Sequence, residues 1–417
     1  MEVPESRWKP ILTGDLRAQF EEVIREIAAD LQAHVSAGQP ASAELGGGDA
    51  GIALFFHYLD LAQPRNPHAG TAARLLERAG ETISNSQLWF DLYGGVSGIG
   101  WAWQHILRLT AEDDSLAEID EALCRLLKTE RWTWSYDLIV GLVGLGVYGL
   151  ERWPAGHSRE ILQRVADHLL ALAQPSEPGS TWMTPPAQVP ETQRERFPEG
   201  YCNCGAAHGV PGVLAVLAAC ARRGIATDAA AAAVRGGSQW LLRQGSMAAG
   251  QTRFPSFVSP TGEPFPSRLA WCYGDLGIAG LLACTARELG DGQLMERALS
   301  IAHHAATVGP EFDGIVDTPL CHGTAGVAHI FNRLHQATGD AACAEAARAW
   351  YHRLLEMRTP GHGFGGFQSY NVTVYADAPG FLEGSAGVGL ALLAAVSDVA
   401  PAWDRILLLS LPESGPR

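Results

Sequence analysis

Two kinds of segment alternate along this chain. The first carries apolar residues at helical spacing on one face and charges on the other. From Asp15 to Val35, Phe20, Ile24, Ile27 and Leu31 recur every three or four residues, while Glu21, Glu22, Arg25 and Glu26 fill the positions between. That spacing is the apolar stripe of an amphipathic helix. The same pattern returns at Thr71 to Ile83, Ser115 to Lys128, Ser158 to Ala173, Asp228 to Arg243, Gln293 to Val308 and Ala341 to Met357. The second kind is apolar nearly all round, as in Ile52 to Phe56 and Val388 to Leu392, and belongs inside a protein.

Each apolar run opens on Gly-x-x-Gly. The seven instances begin at Gly48, Gly95, Gly141, Gly209, Gly274, Gly323 and Gly384, spaced 47, 46, 68, 65, 49 and 61 residues apart. Self-similarity at this period is the mark of a repeat architecture. The unit is a polar outer helix, a loop, a glycine turn and an apolar inner helix. Seven such units, with no distinct polar caps at the ends, predict a closed all-α toroid of seven outer and seven inner helices in a single domain over residues 1–417, rather than a linear solenoid. Glycine at the turn allows close backbone approach and a positive φ. The extra spacing falls in three insertions, about 175–200, 246–267 and 359–380. The last carries Phe364, Phe367, Tyr370 and Tyr375, with Val372 to Tyr375 alternating like a short strand. Ser246 to Ser267 holds a Pro-Thr-Gly turn. Long loops in a compact domain are often functional.

Composition narrows the function. A chain of 417 residues that is 47% hydrophobic can bury a large core, and its net charge of −15 with no basic tract excludes a nucleic-acid partner. Glu2, Pro4 and Glu5 are followed by no apolar signal core, and no apolar run is long enough to span a bilayer. The expectation is a cytoplasmic protein. In a reducing compartment, eight cysteines scattered over a long chain suit metal binding or catalysis better than disulfides. Cys124, Cys220, Cys284 and Cys343 lie in helical apolar patterns and read as core.

The chemistry lies just ahead of the glycines. Two positions before the first glycine, the repeats carry Gly46, Tyr93, Ile139, Ala207, Cys272, Cys321 and Leu382; one position before, they carry Gly47, Gly94, Val140, His208, Tyr273, His322 and Glu383. Equivalent offsets in a toroid project from one end toward one axis. Cys272, Cys321 and His322 then supply two thiols and an imidazole, three ligands for tetrahedral zinc with the fourth position open for chemistry. His208 belongs to the same rim and suits acid–base work. Asp137, four before Gly141, lies next along it, and Arg268, six before Gly274, enters from the loop. Cys202 and Cys204, ahead of His208, read as non-ligands.

The strings Ala207-His-Gly-Val-Pro-Gly212, Trp271-Cys-Tyr-Gly-Asp275, Leu320-Cys-His-Gly-Thr-Ala-Gly326 and Leu382-Glu-Gly-Ser-Ala-Gly-Val388 resemble the lanthionine synthetase C-like family, and within it the stand-alone class I lantibiotic cyclases. The resemblance runs from Gly46 to about Leu393. It implies an α/α toroid; zinc on Cys272, Cys321 and His322; and His208, Asp137, Arg268 and Tyr273 at the active site. The implied reaction is a Michael addition: a cysteine thiol of a dehydrated precursor peptide attacks dehydroalanine or dehydrobutyrine to close a (methyl)lanthionine ring.

In that scheme zinc coordination deprotonates the thiol, whose free pKa is about 8.5. Arg268 stabilises the enolate and His208 protonates the α-carbon. Asp137 either orients His208 or accepts the thiol proton. Further partners implied are a dehydratase and an export transporter, the latter bringing the enzyme to the membrane periphery. In the family, inserted sequence helps to bind the leader peptide. Two other readings share the motif: a relative that adds glutathione to dehydroamino acids in proteins, and a zinc-bearing peptide-binding protein without turnover.

Overall fold

The computed structural model describes residues 8–37, 42–85, 88–110, 114–177, 179–246, 251–259 and 265–410. Polar-faced helices alternate with apolar ones as the pattern predicts. The polar-faced set is α1 (Gly14–Ser36), α3 (Thr71–Asn85), α5 (Ala117–Leu126), α7 (Ser158–Leu172), α9 (Thr227–Arg243), α11 (Gly292–Ala305) and α13 (Ala341–Glu356). The apolar set is α2 (Asp49–Ala62), α4 (Val96–Leu107), α6 (Leu142–Arg152), α8 (Val210–Arg222), α10 (Asp275–Leu289), α12 (Thr324–Thr338) and α14 (Ser385–Val396). Every residue of α14 is buried, whereas α1 buries only the stripe Phe20, Val23, Ile24, Ile27, Ala28 and Leu31. Among the described residues no helix is long and apolar enough to cross a membrane.

The chain divides into two compact units. One comprises Met1–Trp89, Tyr93–Leu107 and Ile315–Trp403; the other comprises Phe90–Leu92, Arg108–Gly314 and Asp404–Arg417. In the first, α2 packs on α4 and α14, and α14 on α12. In the second, α8 packs on α6 and α10. Five of the inner helices, α2, α6, α8, α10 and α12, also pack on the outer helix that follows them, as in α12 with α13 and α10 with α11.

The start of an inner helix leaves N–H groups without intrahelical partners. At α2, α6, α8, α10, α12 and α14 no side chain caps the start, and the preceding loop folds back on it with its own backbone. Asp49 N–H donates to the Ser42 carbonyl (2.8 Å), Leu142 to Ser135 (3.3 Å), Thr324 to Asp317 (3.0 Å) and Ser385 to Ala378 (2.9 Å), each seven residues upstream. Such a fold-back brings the loop carbonyls against the glycine α-carbons. A Cβ on Gly277 would stand 2.0 Å from the Trp271 carbonyl oxygen, and one on Gly274 1.5 Å from that of Arg268. Close approach therefore explains the glycines. The expected positive φ occurs at Gly274 (φ +114°). Gly48, Gly141, Gly209, Gly323 and Gly384 are extended, a conformation open to any residue but for the carbonyl in the way.

The loop segments are laced edge to edge at the offset that carries the cysteines. In the second unit Leu138 N–H donates to the Ala207 carbonyl (3.1 Å) and Ala207 N–H to that of Cys272 (3.3 Å). In the first, Cys321 N–H donates to Leu382 (3.0 Å), Leu382 to Gly46 (2.9 Å) and Gly46 to Tyr93 (2.8 Å).

The insertions add short strands. β1 (Gln174–Pro175) pairs with β2 (Ser180–Thr181), and β3 (Met183–Thr184), β4 (Tyr201–Asn203) and β5 (Phe257–Val258) form an antiparallel sheet, so the first two insertions meet across β4. Val189, Phe197, Tyr201 and Phe257 make its core, with Phe265 and Tyr273 against it. In the third insertion, β6 (Ser369–Tyr370) pairs with β7 (Tyr375–Ala376). The strand expected over Val372 to Tyr375 is instead mostly the turn between them. Asn371 Oδ1 accepts from Val374 N–H (3.2 Å), Val372 has φ +77°, and Val372 and Val374 are exposed. An Asx-type turn won over the alternation of β-branched residues. The Pro-Thr-Gly turn at 260–262 lies outside the described residues.

Candidate active site

In the second unit the capped loops before α6, α8 and α10 present Asp137, His208, Cys272 and Tyr273. Asp137 is held rigidly: its N–H donates to Ser135 Oγ (3.2 Å), and its Oδ1 accepts from Val140 N–H (2.9 Å). Its other oxygen, Oδ2, lies 2.6 Å from His208 Nδ1. The aspartate side chain is 9% exposed and that of the histidine 39%. A carboxylate acceptor at Nδ1 fixes the tautomer, leaving Nε2 as the atom that faces outward to exchange protons. Burial alone would lower the His208 pKa; the Asp137 hydrogen bond and charge, aided by Cys272, outweigh it, and the value is raised.

Tyr273 stacks on His208, with ring centroids 5.9 Å apart and planes 24° from parallel. Asn203, on β4, orients the phenol. Its Oδ1 accepts from Gly205 N–H (2.8 Å), so its amide nitrogen must be the group that donates to Tyr273 Oη (3.1 Å). Burial raises the Tyr273 pKa and keeps the phenol neutral. A phenol oxygen that already accepts one hydrogen bond keeps its own proton to donate. Arg268 is partly exposed and makes no ion pair among the described residues. Cys202 is partly buried in the β-sheet and Cys204 fully buried; burial raises both thiol pKa values. Asn203 between them was not legible as a functional residue, since its partners, Tyr273 and Gly205, obey no periodic rule.

In the first unit the loop before α12 presents Cys321 and His322. His322 Nε2 lies 3.1 Å from Oδ2 of Asp317, a residue that is 1% exposed and also accepts from Tyr370 N–H (2.9 Å). Donation from Nε2 leaves Nδ1 as the nitrogen that could serve a metal ion, and a carboxylate behind a ligating imidazole fixes the ring and raises its basicity. Sequence reasoning missed Asp317; the available signal was an acidic residue in the cap segment, five residues before the histidine.

Among the described residues, Cys272, Cys321 and His322 are a group that could hold a metal ion. Cys124 with His157 and Glu160 also forms such a group, with a single thiol. Two thiols and an imidazole braced by a carboxylate are a donor set chemically suited to zinc.

The family described as lanthionine synthetase C-like protein matches residues 39–408. The chain is 25% identical over 273 residues to the nisin biosynthesis protein NisC of Lactococcus lactis subsp. lactis, across 58% of this chain and 62% of that protein. The aligned stretch thus spans less than two thirds of that relative. A solved structure of a nisin cyclase superposes with a TM-score of 0.75 at 19% identity, covering 94% of this chain and 98% of that one. This likeness shows the fold, and it is the all-α toroid class that the repeats predict.

Proposed function

The chain belongs to the lanthionine synthetase C-like family, and from that membership we propose that it is a zinc-dependent lanthipeptide cyclase. It would add cysteine thiols of a dehydrated precursor peptide to dehydroalanine or dehydrobutyrine, closing (methyl)lanthionine rings. The observation that carries this reading is the 2.6 Å pairing of His208 with Asp137, in the same unit as a thiol ligand and a neutral, oriented phenol. The nisin names of the relatives point to the same substrate class.

Cys272, Cys321 and His322 would hold the zinc, which supplies a substrate thiolate at neutral pH. The reaction forms one S–Cβ bond and moves the Cα=Cβ electron pair toward the carbonyl as an enolate; the proton lost from the thiol is balanced by one delivered to Cα. His208 Nε2 delivers that proton, since Nδ1 is committed to Asp137. The orienting role of Asp137 is favoured over direct thiol deprotonation, because both its oxygens are already engaged. Arg268, with no carboxylate of its own, is available to the enolate oxygen, and Tyr273 Oη–H can donate beside it.

The test is incubation of the purified protein with a dehydrated precursor peptide, and separately with glutathione plus a dehydroalanine peptide. Loss of free thiol at unchanged peptide mass supports the cyclase. A gain of one glutathione mass, with no ring closure, replaces it with the glutathione-adding reading. No change in either arm leaves a peptide-binding protein.

A further inference from the structure

The second unit contains a cavity of about 680 Å³ between α9, α11 and the segment around Phe254. Arg243, Arg253 and Arg297 line it, together with Leu242, Phe254 and Ile301, and its described lining holds no carboxylate. That is unusual for a chain of net charge −15. Some arginines elsewhere are paired with carboxylates, as in Arg17 with Glu21, Arg164 with Glu160 and Arg405 with Glu151. Arg243 and Arg297 make no ion pair among the described residues.

The wall is built rather than loose. The N–H groups of Arg253 and Phe254 donate to buried Asp275 (2.8 to 3.0 Å), and Ser246 N–H donates to the Arg253 carbonyl (2.8 Å). Asp275 is also the first residue of α10, directly after the Cys272–Tyr273–Gly274 turn. The cavity wall and the proposed active-site loop are therefore braced by one side chain.

We propose that this cavity is a binding site for a peptide segment that carries both carboxylate and apolar side chains. Guanidinium groups match carboxylates in a planar fork, and Leu242, Phe254 and Ile301 offer apolar contact that an inorganic anion would not use. Nucleic acid is disfavoured by the overall negative charge. The proposal deepens the cyclase reading by assigning part of the peptide's recognition to a place outside the reacting groups.

The probe is a short fluorescein-labelled peptide alternating Glu and Leu, read by anisotropy against the full chain. Arg243→Ala and Arg297→Ala, both at exposed positions, are each expected to weaken binding by about tenfold, the loss of one charge-assisted contact. The same peptide with Gln for Glu should bind correspondingly weakly. Circular dichroism of the variants controls for folding, and inorganic phosphate at matched ionic strength should not displace the probe. Equal binding by wild type and both variants, equal binding of the Gln peptide, or displacement by phosphate would each overturn the proposal, the last by leaving a simple anion site. Cys321→Ala separates the two readings: it should abolish cyclisation and leave probe binding intact. Probe binding in a protein that fails every cyclisation assay would sink the cyclase reading alone.

Discussion

His208 and Asp137 stand 71 residues apart in sequence and meet at 2.6 Å, with the imidazole bound through Nδ1. The contact sets the tautomer, raises the pKa of the histidine and directs Nε2 outward. His208→Ala should therefore lose about 10²–10⁴-fold in cyclisation rate, the usual contribution of general acid catalysis. Bound zinc should stay at the wild-type level, since in its proposed role the side chain is a proton donor and no ligand. Loss of zinc in the variant, measured in parallel with mass-resolved thiol consumption, would make His208 a ligand.

The same contact has a pH signature. The folded pKa of His208 lies above its unfolded value of about 6.5. Its contribution to stability is thus fully present below that unfolded value and is lost as pH rises through the raised folded value. Activity that needs the imidazolium falls over the same upper range. Asp137→Asn removes the raising influence and leaves burial, which lowers the pKa, so the alkaline limb of kcat/KM should move to lower pH. An unmoved limb would assign that limb to another group.

Cys272→Ala, Cys321→Ala and His322→Ala should each strip zinc, because a three-ligand site does not tolerate loss of one protein donor. Asp317→Asn should retain the metal more weakly, by about 10–100-fold in affinity, since the carboxylate braces His322 through Nε2. Competition with a chromogenic chelator measures both. Unchanged affinity in Asp317→Asn would show that the buried carboxylate serves the fold alone.

Asn203→Leu keeps the approximate volume and removes the amide that donates to Tyr273 Oη. The expected outcome is a lower kcat with little change in KM, because the phenol loses its orientation and its stacking on His208 remains. A rise in KM at constant kcat would instead assign Asn203 to peptide binding.

Chelation should leave the helices folded. Seven outer and seven inner helices bury an apolar core, including Trp101, Trp182, Trp271 and Trp403, far beyond what a zinc-dependent small domain owns. Helical circular dichroism should survive removal of metal while activity disappears. Collapse of the signal would mean that the metal is part of the folding energy.

The helices were legible in the sequence because their signal is local and repeated. The stripe Phe20, Ile24, Ile27 and Leu31 predicts α1, and the Gly-x-x-Gly turns mark the start of each inner helix. The common offset of Cys272 and Cys321 is also a sequence fact, and within each unit the backbone lacing of neighbouring loops runs at that offset. Sequence alone could not set the phenol of Tyr273 on Asn203, turn Asp317 toward His322, join two insertions across β4, or leave Arg243 and Arg297 facing one cavity. It also mistook a side-chain-stabilised turn at Asn371 for a strand, and assigned a positive φ to glycines that are needed for their lack of a Cβ. Periodicity reports which face of an element is buried; the partner of a single polar side chain depends on loop paths and distances that no local pattern encodes, and only the folded chain decides it.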